Sequence, residues 1–177
     1  ARRFFELPDQ AKRGYIVPGG SGQRGYTAFR IETAKGANLP DLKEFWHVGR
    51  NLPPGHRLEK EMPRNVHVSE IADFDAVTYR LYEAMDALGL KVLRGIAIYL
   101  GLAADYFEDK VSDGNSILRL LHYPPLQAGA TGVRAGAHED INVITLLLGA
   151  EEAGLQLLDR DGRWLDIDPP PGCVVVN

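Results

Sequence analysis

Apolar residues recur at steps of three and four through the middle of the chain: Ile71, Phe74, Thr78, Leu81, Met85, Leu88, Val92, Ile96 and Tyr99. That period predicts one long amphipathic helix over 69–100, with Ser69 as its N-cap and Gly101 at its stop. A short helix is expected to follow from Ala103 to Phe107. From 115 onward the period changes to two. Ile117 to Tyr123 reads as a strand ended by Pro124-Pro125. Further strands are expected at Gly136–Ile141, Val143–Leu148, Leu155–Leu158 and Trp164–Ile167, and another starts at Val174-Val175-Val176. Asp161-Gly162 between Leu158 and Trp164 is a hairpin turn signal. Residues 1–67 are irregular and punctuated by Gly and Pro, with short helices expected at the very start and near 40–48. Short, closely spaced strands argue for an antiparallel sandwich, jelly roll or barrel, braced from outside by the long helix.

Composition narrows the class. The chain has 177 residues, 45% hydrophobic and 25% charged, which suits a folded domain and excludes wholesale disorder. A formal net charge of −4 and the lack of any Lys/Arg run argue against nucleic acid as a partner. The single Cys173 cannot form an internal disulfide, so a reducing, cytoplasmic setting is the simplest expectation. No apolar run approaches the roughly 20 residues of a membrane helix. The start is not a signal peptide, because Glu6, Pro8 and Asp9 follow Phe4-Phe5 at once.

Chemistry concentrates at Gly136-Ala137-His138-Glu139-Asp140. On a strand, residues two apart share a face, so His138 and Asp140 would project together and Glu139 away. An imidazole and a carboxylate on one face are two sides of a metal site. A second His from elsewhere would complete a facial triad suited to non-haem Fe(II). The pair alone is a weak signal. His47, after Phe45-Trp46, reads first as a buried packing histidine and second as part of a cavity wall. His56 and His67 read as surface residues, and His122 points away from the face of its neighbour Tyr123. Arg119 shares a face with Leu121 and Tyr123. A salt bridge is its plain reading and contact with an anionic ligand the sharper one. Gly19-Gly20-Ser21-Gly22 lacks the Lys-Ser/Thr of a phosphate loop and reads as a loop near a site mouth.

The motifs occur in a telling order: Ile117-Leu118-Arg119-Leu120-Leu121-His122-Tyr123-Pro124-Pro125, His138-Glu139-Asp140, Gly154-Leu155-Gln156-Leu157, Asp161-Gly162-Arg163-Trp164, and Pro169-Pro170-Pro171-Gly172 before the final valines. Together with Phe4-Phe5-Glu6-Leu7-Pro8, Gly25-Tyr26 and Lys43-Glu44-Phe45, this series resembles the isopenicillin N synthase-like Fe(II)/2-oxoglutarate-dependent oxygenases. The resemblance implies an α+β, mainly β fold: a distorted double-stranded β-helix (jelly roll) braced by a long helix. Residues 1–114 would be the bracing region and 115–177 the first part of the jelly roll, the chain being expected to lack both ends of the domain. His138 and Asp140 match the family's first two metal ligands. The third His and the following Arg-x-Ser element have no counterpart here, since no His follows His138. Tyr123 matches a tyrosine that hydrogen-bonds the co-substrate, although Leu121 stands where the family often has Asn.

The implied cofactors are Fe(II), 2-oxoglutarate and molecular oxygen. The implied activity is hydroxylation, desaturation or ring closure of a small molecule. A catalytically inactive jelly-roll binding module and an oxidase without 2-oxoglutarate are the alternatives. A zinc hydrolase lacks support, because neither a His-Glu-x-x-His nor a Cys cluster is present. The sequence identifies neither the primary substrate nor the oligomeric state.

Overall fold

A computed structural model describes residues 1–34, 38–126, 129, 131–149 and 154–177. It divides into two compact units, Ala1–His138 and Glu139–Asn177. Gly36 lies outside the described residues. Among those described, no helix is long and apolar enough to cross a membrane.

The first unit contains α1 (Arg2–Phe5), α2 (Asp9–Arg13), β1 (Gly25–Thr27), β2 (Glu44–Gly49), α3 (Phe74–Tyr99), α4 (Glu108–Val111) and β3 (Ile117–His122). Its strands form an antiparallel sheet in the order β1-β2-β3. Tyr26 pairs with Trp46, and Trp46 with Leu120. The face carrying Tyr26, Trp46, Val48, Leu118 and Leu120 packs on α1 and the start of α3. Phe4, fully buried, sits at the hub of that core. The rings of Phe5, Tyr15, Tyr26, Trp46 and Phe74 surround it at centroid distances of 4.7 to 5.9 Å. Mostly edge-on, these contacts suit the quadrupoles of aromatic rings.

The long helix forms, but starts at Phe74 with Asp73 as its N-cap residue, not at Ser69. The Ser69 backbone N–H instead donates to the Tyr15 hydroxyl at 3.1 Å. The segment before the helix is thereby tied to Tyr15. The buried positions on α3 are Phe74, Thr78, Tyr82, Leu93 and Ala97. The expected helix near 40–48 is corrected to a strand, the central β2. All six of its residues are buried, and a strand covered on both faces shows no period of two. The helix expected over 103–107 is also corrected. Tyr106 and Glu108 donate to carbonyls three residues back, which makes tight turns, and a single α-turn follows at Glu108–Val111.

The second unit holds β4 (Leu146–Leu147), β5 (Gln156–Leu158), β6 (Trp164–Asp166) and β7 (Val175–Val176). β4 pairs with β7 and β5 with β6, both antiparallel. The Asp161-Gly162 turn joins β5 to β6, with Gly162 at φ +80°. The strand expected over Gly136–Ile141 does not form. Side chains engage the Gly136 backbone instead: its N–H donates to Asp41, and its carbonyl contacts the His138 ring.

Candidate functional site

The two faces of the first unit's sheet differ in chemistry. Because side chains alternate along β2, Trp46 and Val48 enter the aromatic core, while Lys43, Phe45 and His47 take the opposite side. On β3 the same side carries Arg119, which pairs with His47, and Leu121, which pairs with Phe45. Tyr123 comes next, one residue beyond the strand.

This polar face is tightly bonded. Lys43 Nζ lies 2.7 Å from Glu32 Oε2 and 2.8 Å from Asp41 Oδ2. Burial opposes the Lys43 charge, but the bonds to Asp41 and Glu32 outweigh it and hold the ammonium pKa above its ordinary value. Arg119 Nε donates to His47 Nε2 at 2.7 Å, and its Nη1 lies 3.2 Å from Glu32 Oε1. The guanidinium also stands 4.4 Å over the Phe45 ring. A guanidinium can only donate. His47 is therefore neutral, accepting at Nε2 and donating from Nδ1 to the Gly22 carbonyl. Burial, then Arg119, pushes its pKa down to about 4. A cavity of about 390 Å³ opens here, bordered by Arg24, Ile31, Glu32, Phe45, His47 and Arg119. His47 is thus both buried and a cavity wall, and Arg119 makes the salt bridge of its plain reading. Ser21 and Gly22 of the glycine-rich loop reach the same cavity.

The core side of β2 holds a second charge cluster, around Glu44. Its carboxylate accepts from Lys12 Nζ at 2.7 Å and from the Tyr26 hydroxyl, and meets His122 Nδ1 at 2.7 Å. Burial pushes the Glu44 pKa up, but these three partners prevail and hold it below the ordinary carboxylate value. His122 faces away from Tyr123, as alternation requires, and stacks on Phe5 at 4.9 Å.

Tyr123 is half-buried, and burial raises its phenol pKa; Lys43, Asp41, Arg119 and Glu32 are the charges it feels. In the same unit, His138 Nδ1 lies 2.8 Å from the Gly136 carbonyl. In the second unit, Asp140 Oδ2 accepts from Thr145 Oγ1 at 2.5 Å and from Asn177 Nδ2 at 3.2 Å. Both His138 and Asp140 are exposed. Among the described residues, no group of three or more His, Cys, Asp or Glu gathers as a metal site. Sequence reasoning missed Asp41, Lys43 and Glu32. The alternation Asp41-x-Lys43-x-Phe45-x-His47 is the signal that could have found the first two.

Two family models match the chain. Residues 1–70 match the N-terminal region of a non-haem dioxygenase in morphine synthesis, and residues 114–177 match the 2OG-Fe(II) oxygenase superfamily. The chain belongs to this superfamily of 2-oxoglutarate- and Fe(II)-linked oxygenases. A 2-oxoglutarate-Fe(II) type oxidoreductase of Aspergillus fumigatus is 32% identical over all of this chain and 56% of its own length. Among solved structures, a 2OG-Fe(II) oxygenase family protein from Caulobacter crescentus is 58% identical, with a TM-score of 0.90 over 99% of this chain and 57% of that one. A full-length Neurospora crassa protein, in complex with alpha-KG and thymine, is 31% identical, with a TM-score of 0.81 over 99% of this chain and 57% of its own. The chain spans about half the length of the curated relatives it matches.

Proposed function

We propose that the full-length protein is a non-haem Fe(II)- and 2-oxoglutarate-dependent dioxygenase acting on a small organic molecule. Its core is the distorted jelly roll of the family. His138 and Asp140 are two of its metal ligands, and Tyr123 meets the co-substrate. The observation that carries the reading is the His138-x-Asp140 pair, set inside the segment that matches the superfamily.

The donor chemistry fits the metal. With Nδ1–H donating to the Gly136 carbonyl, the His138 tautomer has its lone pair at Nε2, the arrangement usual for a ligating imidazole. Asp140 Oδ2 accepts from Thr145 and Asn177, and ligating carboxylates are commonly hydrogen-bonded by such neighbours. When bound, Fe(II) with 2-oxoglutarate and oxygen supplies the oxidising power, and the protein supplies binding and orientation.

The chain's own residues have definable tasks. Tyr123, its phenol pKa raised by burial, stays protonated at neutral pH and can donate to a carboxylate. Phe45 and Ile31 give the cavity apolar wall, while Arg119 and His47 give it polar groups. Its volume of about 390 Å³ falls in the range of small-molecule sites. Structures of the Neurospora crassa relative with thymine and with 5-formyluracil support a small organic substrate. The single, exposed Cys173 suits a reducing, cytoplasmic setting.

The test is oxygen-dependent succinate release from 2-oxoglutarate by the full-length protein, compared with His138→Ala. Release is expected from the wild type and not from the variant. Equal release from both would remove His138 from the site.

A further inference from the structure

We infer that Asp41 is a positioning residue for the ligand imidazole: it anchors the segment that carries His138, and the close packing of Gly136 on Ala34 sets how near that segment comes. The inference rests on the reading of His138 as a metal ligand.

Asp41 is 2% exposed. A carboxylate that deep is costly unless its oxygens are bonded, and both are. Oδ2 meets Lys43 Nζ at 2.8 Å. Oδ1 accepts the Gly136 N–H at 2.9 Å. Lys43 is itself 5% exposed and held on its other side by Glu32 at 2.7 Å. A buried cation therefore fixes the Asp41 side chain, and Asp41 presents a fixed anionic acceptor to an amide two residues before His138. The Leu42 N–H donates to the Val133 carbonyl at 2.9 Å and adds a backbone tie to the same segment.

Gly136 links this anchor to the imidazole. It gives its N–H to Asp41, and its carbonyl lies 2.8 Å from His138 Nδ1. It must also be glycine. A Cβ on it would lie 2.7 Å from the Ala34 Cβ, closer than two such carbons approach. Residues 131–138 form neither helix nor strand, and these contacts contribute to where the imidazole is presented. Partners that orient a ligating His typically change metal affinity by about 10- to 100-fold when removed.

The experiment is Co(II) titration of the full-length protein, followed by the visible absorption of the bound ion, alongside thermal unfolding. Asp41→Leu is expected to weaken Co(II) about 10- to 100-fold, and Asp41→Asn, which keeps an acceptor for the Gly136 N–H, by no more than about threefold. Wild-type affinity in Asp41→Leu, or equal weakening in both variants, overturns the inference. If Asp41→Leu does not fold, a second pair decides. Gly136→Ala is expected to weaken Co(II) binding, and Ala34→Gly in the same chain to restore it, with both proteins folded. Unchanged affinity in Gly136→Ala, or no recovery in the double variant, overturns the inference. His138→Ala in the same titration keeps the two readings apart. Wild-type affinity there sinks the ligand assignment itself. Lost affinity there, beside unaffected Asp41 and Gly136 variants, sinks only the anchor.

Discussion

Acidification from pH 7 to pH 4 should cost this protein the bond between His47 and Arg119. Arg119 Nε donates to His47 Nε2 at 2.7 Å, and His47 Nδ1 faces the Gly22 carbonyl. Only the neutral imidazole can accept from a guanidinium while donating to a carbonyl. A proton on Nε2 would replace that bond with two facing cations, at a residue only 5% exposed. Burial is the largest force lowering the His47 pKa, followed by Arg119, with Arg24 adding to it; the Gly22 bond and Glu32 oppose. The pKa falls from 6.5 to about 4. The unfolded chain therefore takes up a proton near pH 6.5 that the folded chain refuses until about pH 4. Stability falls as pH drops through that window, and the loss is complete below it. Its size is about 3 kcal/mol, at 1.36 kcal/mol per unit. The assay is urea unfolding of the full-length protein from pH 7 to pH 4, wild type against His47→Gln. Glutamine can accept from Arg119 and donate to Gly22 but does not titrate. The wild type should lose about 3 kcal/mol more than the variant over that range. Parallel pH profiles would refute a neutral, buried His47.

Two further perturbations test the packing around the same strand. A Cβ on Gly49 would lie 1.9 Å from Arg24 Cζ. Arg24 is 1% exposed and tied to Asn115 and the Gln23 carbonyl, so Gly49→Ala should lower the neutral-pH unfolding free energy by about 1–3 kcal/mol; an unmoved urea midpoint would count against that contact. Glu44→Leu strands the buried Lys12 ammonium and should cost about 3–5 kcal/mol. Adding Lys12→Met should recover part of that loss in the same unfolding assay, and a double variant weaker than Glu44→Leu would contradict the pairing.

What the sequence made legible follows from how each element is buried. The long helix turns one face to the core and the other to water, so its period survives in the pattern, although its start moved from Ser69 to Phe74. β3 was legible for the same reason, its residues alternating between exposed and half-buried. β2 was not, because both of its faces are covered, and Phe45-Trp46-His47-Val48 reads equally well as a buried turn of helix. That misreading hid the polar face, since Asp41, Lys43 and His47 share a side only on an extended chain. The His138-x-Asp140 pair stood out as chemistry, yet the strand assumed for it is absent. Its first residue depends on Asp41, 95 positions from Gly136, and no local pattern carries that information.

The charge order along β2 also explains how the polar face is assembled. Lys43 and Glu44 are adjacent, opposite in charge and on opposite sides of the sheet, each buried against partners of the other sign. Buried ion pairs contribute little net stability compared with apolar side chains of the same size. They penalise misplacement strongly. A slip of one residue sends every side chain to the other face. Here it would bring Lys43 toward Lys12, and Glu44 toward Glu32, leaving like charges together on both sides in a low-dielectric interior. The register that avoids this places His47 opposite Arg119 and Phe45 opposite Leu121. It also sets Asp41 where its second oxygen can take the Gly136 amide. The same two charges that fix the strand against the core therefore fix the groups that the candidate site uses.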